Sequence, residues 1–192
     1  MDIERLEGEY FGEYRIEEVL RSIYEGFVYK ARQISSGQMV VLRVFSSSIS
    51  SSDSFSIIFE KDAHSVAKLK HENIAQVYDV GMENGSAYVS TEWVEGRTLD
   101  EILKEEKTLD VDETIRIMLQ VAQAIQHAHR AGVIHGHITP ADIILARDGN
   151  VKVTFFSMNR VLNRFELKLP CLTANLCWFM EIADTLLPNT FC

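Results

Sequence analysis

The chain has 192 residues and a mass of 21.9 kDa, and at 46% hydrophobic and 24% charged it falls outside the disordered, collagenous and coiled-coil classes. With 19 Lys and Arg against 28 Asp and Glu, its formal charge of -9 and pI near 5.1 disfavour a nucleic-acid backbone or an anionic membrane, and no basic patch offsets them. The longest apolar runs, such as Met39 to Leu42 and Cys177 to Met180, fall far short of the ~20 residues of a bilayer span, and the acidic N-terminus lacks the regions of a secretory signal, so a soluble cytoplasmic protein is expected.

After an N-terminal extension over 1–13, residues 14–20, 27–33 and 38–45 are rich in β-branched and aromatic side chains, and Ser35-Ser36-Gly37 supplies a turn. They predict three antiparallel strands. The serine-rich stretch 46–56 is too polar to bury and too poor in helix formers for a helix interior, so a mobile loop is expected there, open to phosphorylation as a switch. Ile58, Phe59, Ala63, Val66 and Leu69 recur close to the helical period and predict an amphipathic helix. Two further strands follow over 74–82 and 87–94, separated by the turn Glu83-Asn84-Gly85-Ser86.

Beyond Gly96 the apolar period lengthens. Leu99, Ile102 and Leu103 mark a short helix, and 110–132 a long one, with acidic residues in its first turn and Gly132 as its stop. Ile115, Met118, Leu119, Ala122 and Ile125 form its expected apolar side. A loop punctuated by Pro140 leads to a hairpin over 143–156 built around Asp148-Gly149-Asn150. Cys171, Cys177 and Cys192 have neither framework nor zinc spacing and read as free thiols, and the His127, His129, His135, His137 cluster lacks a recognised metal-ligand pattern. The change of character points to two lobes joined near residues 92–96.

Three segments carry a family likeness. HRAGVIHGHITPADIIL at 129–145 aligns without a gap with HRxGVIHRDIKPxNIL, DGNVKVTFFSMNRVL at 148–162 with DGxVKVxDFGxAR, and 87–103 with a hinge and the helix behind it. From about Tyr14 to Leu162 the chain therefore resembles the eukaryotic-type Ser/Thr protein kinases of bacteria. That resemblance implies an α+β, protein kinase-like fold: a five-stranded antiparallel small lobe with one helix over 14–91, a hinge over 92–96, and a mainly helical large lobe over 97–162. The match fades beyond Leu162, so the large lobe is expected to be incomplete, with 163–192 a divergent tail and an apolar face of the long helix left exposed.

Phosphoryl transfer depends on positioned phosphates, metal-neutralised charge and an oriented acceptor hydroxyl, and the resemblance assigns each task to a position. Of the glycine-rich loop only Gly26 survives, beside Arg21, Ile23 and Glu25. The strand lysine falls on Arg43 and its helix glutamate on Asp62, which leaves an Arg–Asp ion pair open. Val41 stands for the adenine-facing alanine, Thr91 at the gatekeeper, and Glu92 and Val94 at the hinge; with Gly26, Val28, Val41 and Arg43 the two hinge residues are expected to form a weak or vestigial ATP site. In the catalytic loop His137 replaces the aspartate base, Thr139 the lysine, and Asp142 the metal-binding asparagine, while Phe155 replaces the principal magnesium carboxylate. No catalytic position is intact.

The implied function is a catalytically inactive kinase-like module, a pseudokinase, acting through a protein partner such as an active kinase. It would bind no metal and no cofactor beyond weakly held ATP. An atypical Ser/Thr kinase using Arg43, His137 and Asp142, and a truncated gene remnant, are the alternatives.

Overall fold

The computed structural model describes residues 6–23, 26–51, 55, 59, 62–63, 65–136 and 138–156. Glu25, Ile58, His137, the three cysteines and everything from Ser157 onward lie outside them. The chain divides into two compact units, Met1–Lys70 with Ala75–Trp93 and His71–Ile74 with Val94–Cys192. Among the described residues no helix is long and apolar enough to cross a membrane.

The first unit is built on a six-stranded antiparallel sheet of β1 (Tyr10–Phe11), β2 (Tyr14–Ile23), β3 (Gly26–Gln33), β4 (Met39–Phe45), β5 (Val77–Glu83) and β6 (Ser86–Glu92), in the order β1-β2-β3-β4-β6-β5. To the five expected strands the structure adds β1, drawn from the N-terminal extension because Leu6 and Phe11 bury against one sheet face. Strand alternation sorts β4: Val40, Leu42 and Val44 join Tyr14, Ile16, Tyr29 and Ala31 in that core, so Val41, Arg43 and Phe45 point to the opposite face. The β5–β6 turn is Asn84-Gly85, with φ of 50° and 77°, the left-handed pair that a two-residue hairpin needs.

The serine stretch departs from expectation. Ser47–Ser50 is a helical turn, α1, and Ser50 is buried: its hydroxyl donates to Ser46 O at 3.0 Å and accepts the Ala87 N–H at 3.0 Å. Satisfying its hydroxyl inside the fold removes the objection to burying it. Phe55, Phe59, Ala63 and Val66 are helical and buried, and Phe55 and Phe59 stack at 5.3 Å and meet Phe45 at 5.6 and 5.5 Å. Leu69, also buried, lies past the helical residues.

In the second unit α2 (Leu99–Glu106) starts in a capping box, with Glu101 N–H donating to Thr98 Oγ1 at 3.2 Å and Thr98 N–H to Glu101 Oε2 at 2.7 Å. The long helix α3 (Val111–Arg130) is capped by Asp110, whose carboxylate accepts the Asp112 N–H at 3.0 Å. Its buried stripe is Ile117, Val121, Ala124 and Ala128. This corrects the expected face: Ile115 and Leu119 are 53% and 60% exposed, and Ala122 is exposed as well. Ala124 and Ala128 in the buried stripe let the C-terminal half of α3 lie close to its neighbours. A second antiparallel sheet joins β7 (Gly96–Thr98), β8 (Ile143–Ala146) and β9 (Val151–Val153). The turn His71–Ile74 is tied in by Asn73, whose Nδ2 donates to Gln120 Oε1 and Val151 O, both at 2.9 Å.

Candidate functional site

In the first unit the assigned positions share the β4 face that carries Phe45. Val28 pairs with Arg43 and Val41 with Thr91 across the strands, and all four are buried. Arg43 places its guanidinium carbon 5.0 Å from the Phe45 ring centroid, a cation–π contact made possible by their i, i+2 spacing. Asp62 Oδ2 is buried and accepts no hydrogen bond from the described residues. That oxygen does not receive the Arg43 hydrogen bond of the anticipated ion pair; a shorter acid and a guanidinium held over an aromatic ring do not reproduce a Lys–Glu geometry.

Gly26 opens β3 opposite Phe45, with φ of 152°. A Cβ there would stand 2.1 Å from Val44 O. The last glycine of the loop is thus required by close strand approach, independently of any phosphate. The Glu92 N–H donates to Gln76 O at 2.8 Å, and a Glu92 carboxylate oxygen accepts the Gln76 N–H at 3.2 Å.

In the second unit Pro140–Asp142 forms a single 3₁₀ turn, with proline at its start, where its missing N–H is no loss. Asp142, 5% exposed, accepts at Oδ2 both the Thr139 N–H at 3.1 Å and the Thr139 hydroxyl at 2.7 Å. Two positions that the resemblance treats separately are therefore one hydrogen-bonded unit. The Asp142 carbonyl accepts from the Thr154 N–H at 2.9 Å and from its hydroxyl at 3.2 Å, and His135 Nε2 lies 2.8 Å from Thr154 O. The His135 ring meets Phe156 edge-on at 4.8 Å.

Next in line, Phe155 is 8% exposed and has a φ of 61°. A left-handed backbone is rare for a bulky side chain but several-fold commoner for Asp and Asn. The turn thus keeps a conformation suited to an acid while carrying a ring. Phe155 contributes no side-chain oxygen and Asp142 Oδ2 already accepts two hydrogen bonds, a side-chain donor set that does not fit Mg²⁺. Val94 opens this unit's main segment and is buried, while His137 lies outside the described residues. Asn73, Gln120 and Thr154, which organise the turn, α3 and the stretch before Phe155, carry no local sequence signal because their partners are distant in the chain.

Residues 19–177 match the family description "Protein kinase domain". The chain belongs to the protein kinase family. Its relatives place it in the bacterial eukaryotic-type Ser/Thr branch: a probable serine/threonine-protein kinase of Clostridium perfringens is 34% identical over 149 residues, covering 76% of this chain and 22% of that protein. The serine/threonine-protein kinase PrkC of Bacillus subtilis is 33% identical over 152 residues, covering 79% of this chain and 24% of the relative. The PknI kinase domain of Mycobacterium tuberculosis superposes with a TM-score of 0.70 at 26% identity, over 78% of this chain and 61% of that one. The kinase-family chain thus spans about a quarter of the length of these curated relatives.

Proposed function

We propose that this kinase-family chain does not transfer phosphate and acts as a pseudokinase, binding another protein such as an active kinase. Phe155 carries the proposal. In phosphoryl transfer the protein contributes mainly preorganised charge, and removing one such contact typically lowers turnover by about 10²–10³. A phenyl ring at the metal-carboxylate position removes that contact, and the Thr139 hydrogen bonds at Asp142 Oδ2 compete with a second one. The exposed apolar side of α3, with a groove of about 500 Å³ lined by Ala122, Ile125, Gln126, His129 and Arg130, supports a protein partner.

Thermal unfolding with ATP, with and without Mg²⁺, combined with an assay of phosphate incorporation, tests the reading. Mg²⁺ is expected to leave Tm unchanged whether or not ATP binds weakly at Gly26, Val28, Val41, Arg43, Glu92 and Val94, and no phosphate is expected on the chain. Incorporation that disappears in His137→Ala would overturn it.

A further inference from the structure

The second unit contains a histidine pair that the kinase reading does not use. The His71 and His127 rings lie 4.9 Å apart between centroids, tilted by 41°. One belongs to the His71–Ile74 turn and the other to the last turns of α3. We propose that the pair is an acid-sensitive latch: the neutral His71 ring holds the turn against α3 and β9, and its protonation loosens the turn.

Hydrogen bonding sets the resting state. His71 Nδ1 accepts the Asn73 N–H at 3.1 Å, so Nδ1 carries no proton and the neutral ring bears its hydrogen on Nε2. A doubly protonated imidazole has no acceptor, so protonation breaks this bond and strips the Asn73 N–H of it, in a residue that is 2% exposed. Asn73 is also the tie of the turn. Its amide donates to Gln120 on α3 and to Val151 O, its carbonyl accepts the Val153 N–H at 2.9 Å, and Gln120 Oε1 accepts the Val151 N–H at 2.9 Å as well. A proton on one ring therefore bears on a helix and a strand together, and β9 runs directly into Thr154 and Phe155.

The surroundings favour the neutral ring. Burial, and next the His127 ring on α3, hold His71 below its ordinary value of 6.5; Lys152 on β9 acts in the same direction, and Glu72 in the turn opposes both. Because the folded chain takes up this proton less readily than the unfolded one, the contribution of the turn is complete above about pH 6.5 and is lost as pH falls through the lower folded-state value.

Amide hydrogen exchange on the full chain, with the His71 ring followed by NMR, tests the latch from about pH 8 to about pH 5, the range in which an imidazole titrates. Corrected for intrinsic exchange, protection of the Asn73 and Val153 amides should fall as pH drops from about 6.5 to the His71 midpoint, by roughly tenfold per pH unit at most, and level off below it. In His71→Asn, which keeps an acceptor near the Nδ1 position and does not titrate, it should stay flat. In His127→Gln the His71 midpoint should rise. Equal pH dependence in His71→Asn and the wild type would overturn the proposal. So would a His71 midpoint at or above the ordinary value that His127→Gln leaves in place, a reading that needs only the wild type and His127→Gln should His71→Asn fail to fold.

Discussion

Phe155 sets two energies against each other. A left-handed backbone costs an L-residue roughly 1–2 kcal/mol, whereas truncating a buried phenylalanine typically costs about 3–5 kcal/mol. At 8% exposure the ring dominates. Phe155→Asn, which suits the backbone but loses the ring, should therefore lower stability by about 1–4 kcal/mol in urea unfolding. An increase would show that the ring contributes nothing there. Thr139 and Asp142 teach a related lesson. Matched one at a time to a family pattern, they read as a lost lysine and an altered metal ligand. Their Thr-x-x-Asp spacing nonetheless fits the way a side chain at the start of a turn meets one three residues on, and in the structure the two bond each other. That pairing was legible locally. The partners of Asn73 were not, because Gln120 and Val151 lie far along the chain.

Helix α3 has two apolar stripes, and periodicity does not rank them. The stripe of larger residues, Ile115, Leu119 and Ile125, satisfies the helical spacing as well as Ile117, Val121, Ala124 and Ala128, yet the smaller stripe is the buried one. Hydrophobic size favours the former; close approach to β9 and to the Asn73 turn selects the latter, and only tertiary packing reveals it. Ile117→Ala should accordingly cost about 2–4 kcal/mol in chemical denaturation, and Leu119→Ala no more than about 0.5 kcal/mol. A reversed order would return the buried face to the larger stripe. Elements whose signal is local were readable: the Asn84-Gly85 hairpin, the short helix α2, and the turn in which Asp148 Oδ1 accepts the Asn150 N–H at 3.0 Å. The serine stretch misled because composition is silent about a hydroxyl placed to receive the Ala87 N–H.

At the scale of the whole molecule, the first unit gathers its sheet around a polar knot. Tyr14 and Tyr88 both donate to Asp79 Oδ2, at 3.1 and 2.8 Å, while their rings meet each other at 5.7 Å. Burial pushes the Tyr14 hydroxyl up to about 12, and burial followed by the Asp79 hydrogen bond raises Tyr88 further still. Because the folded values exceed the unfolded value of 10.0, this contribution is complete below about pH 10 and is lost as pH rises through the folded values. Tm should fall steeply above about pH 10, less so in Tyr88→Phe. A Tyr88→Phe profile parallel to the wild type would refute the assignment.

The division of the chain into units also constrains how it can be dissected. Residues 71–74 belong to the second unit but are flanked on both sides by the first, so no single scission separates the two. A fragment ending at Trp93 would carry Asn73 away from Gln120 and Val151 and present its carboxamide to solvent, while the complementary piece would keep Val151 O without its Asn73 donor and the Val153 N–H without its acceptor. Each half is thus covalently interlaced with the other, and proteolytic nicking at the Trp93–Val94 junction should yield pieces that stay associated rather than two autonomous products.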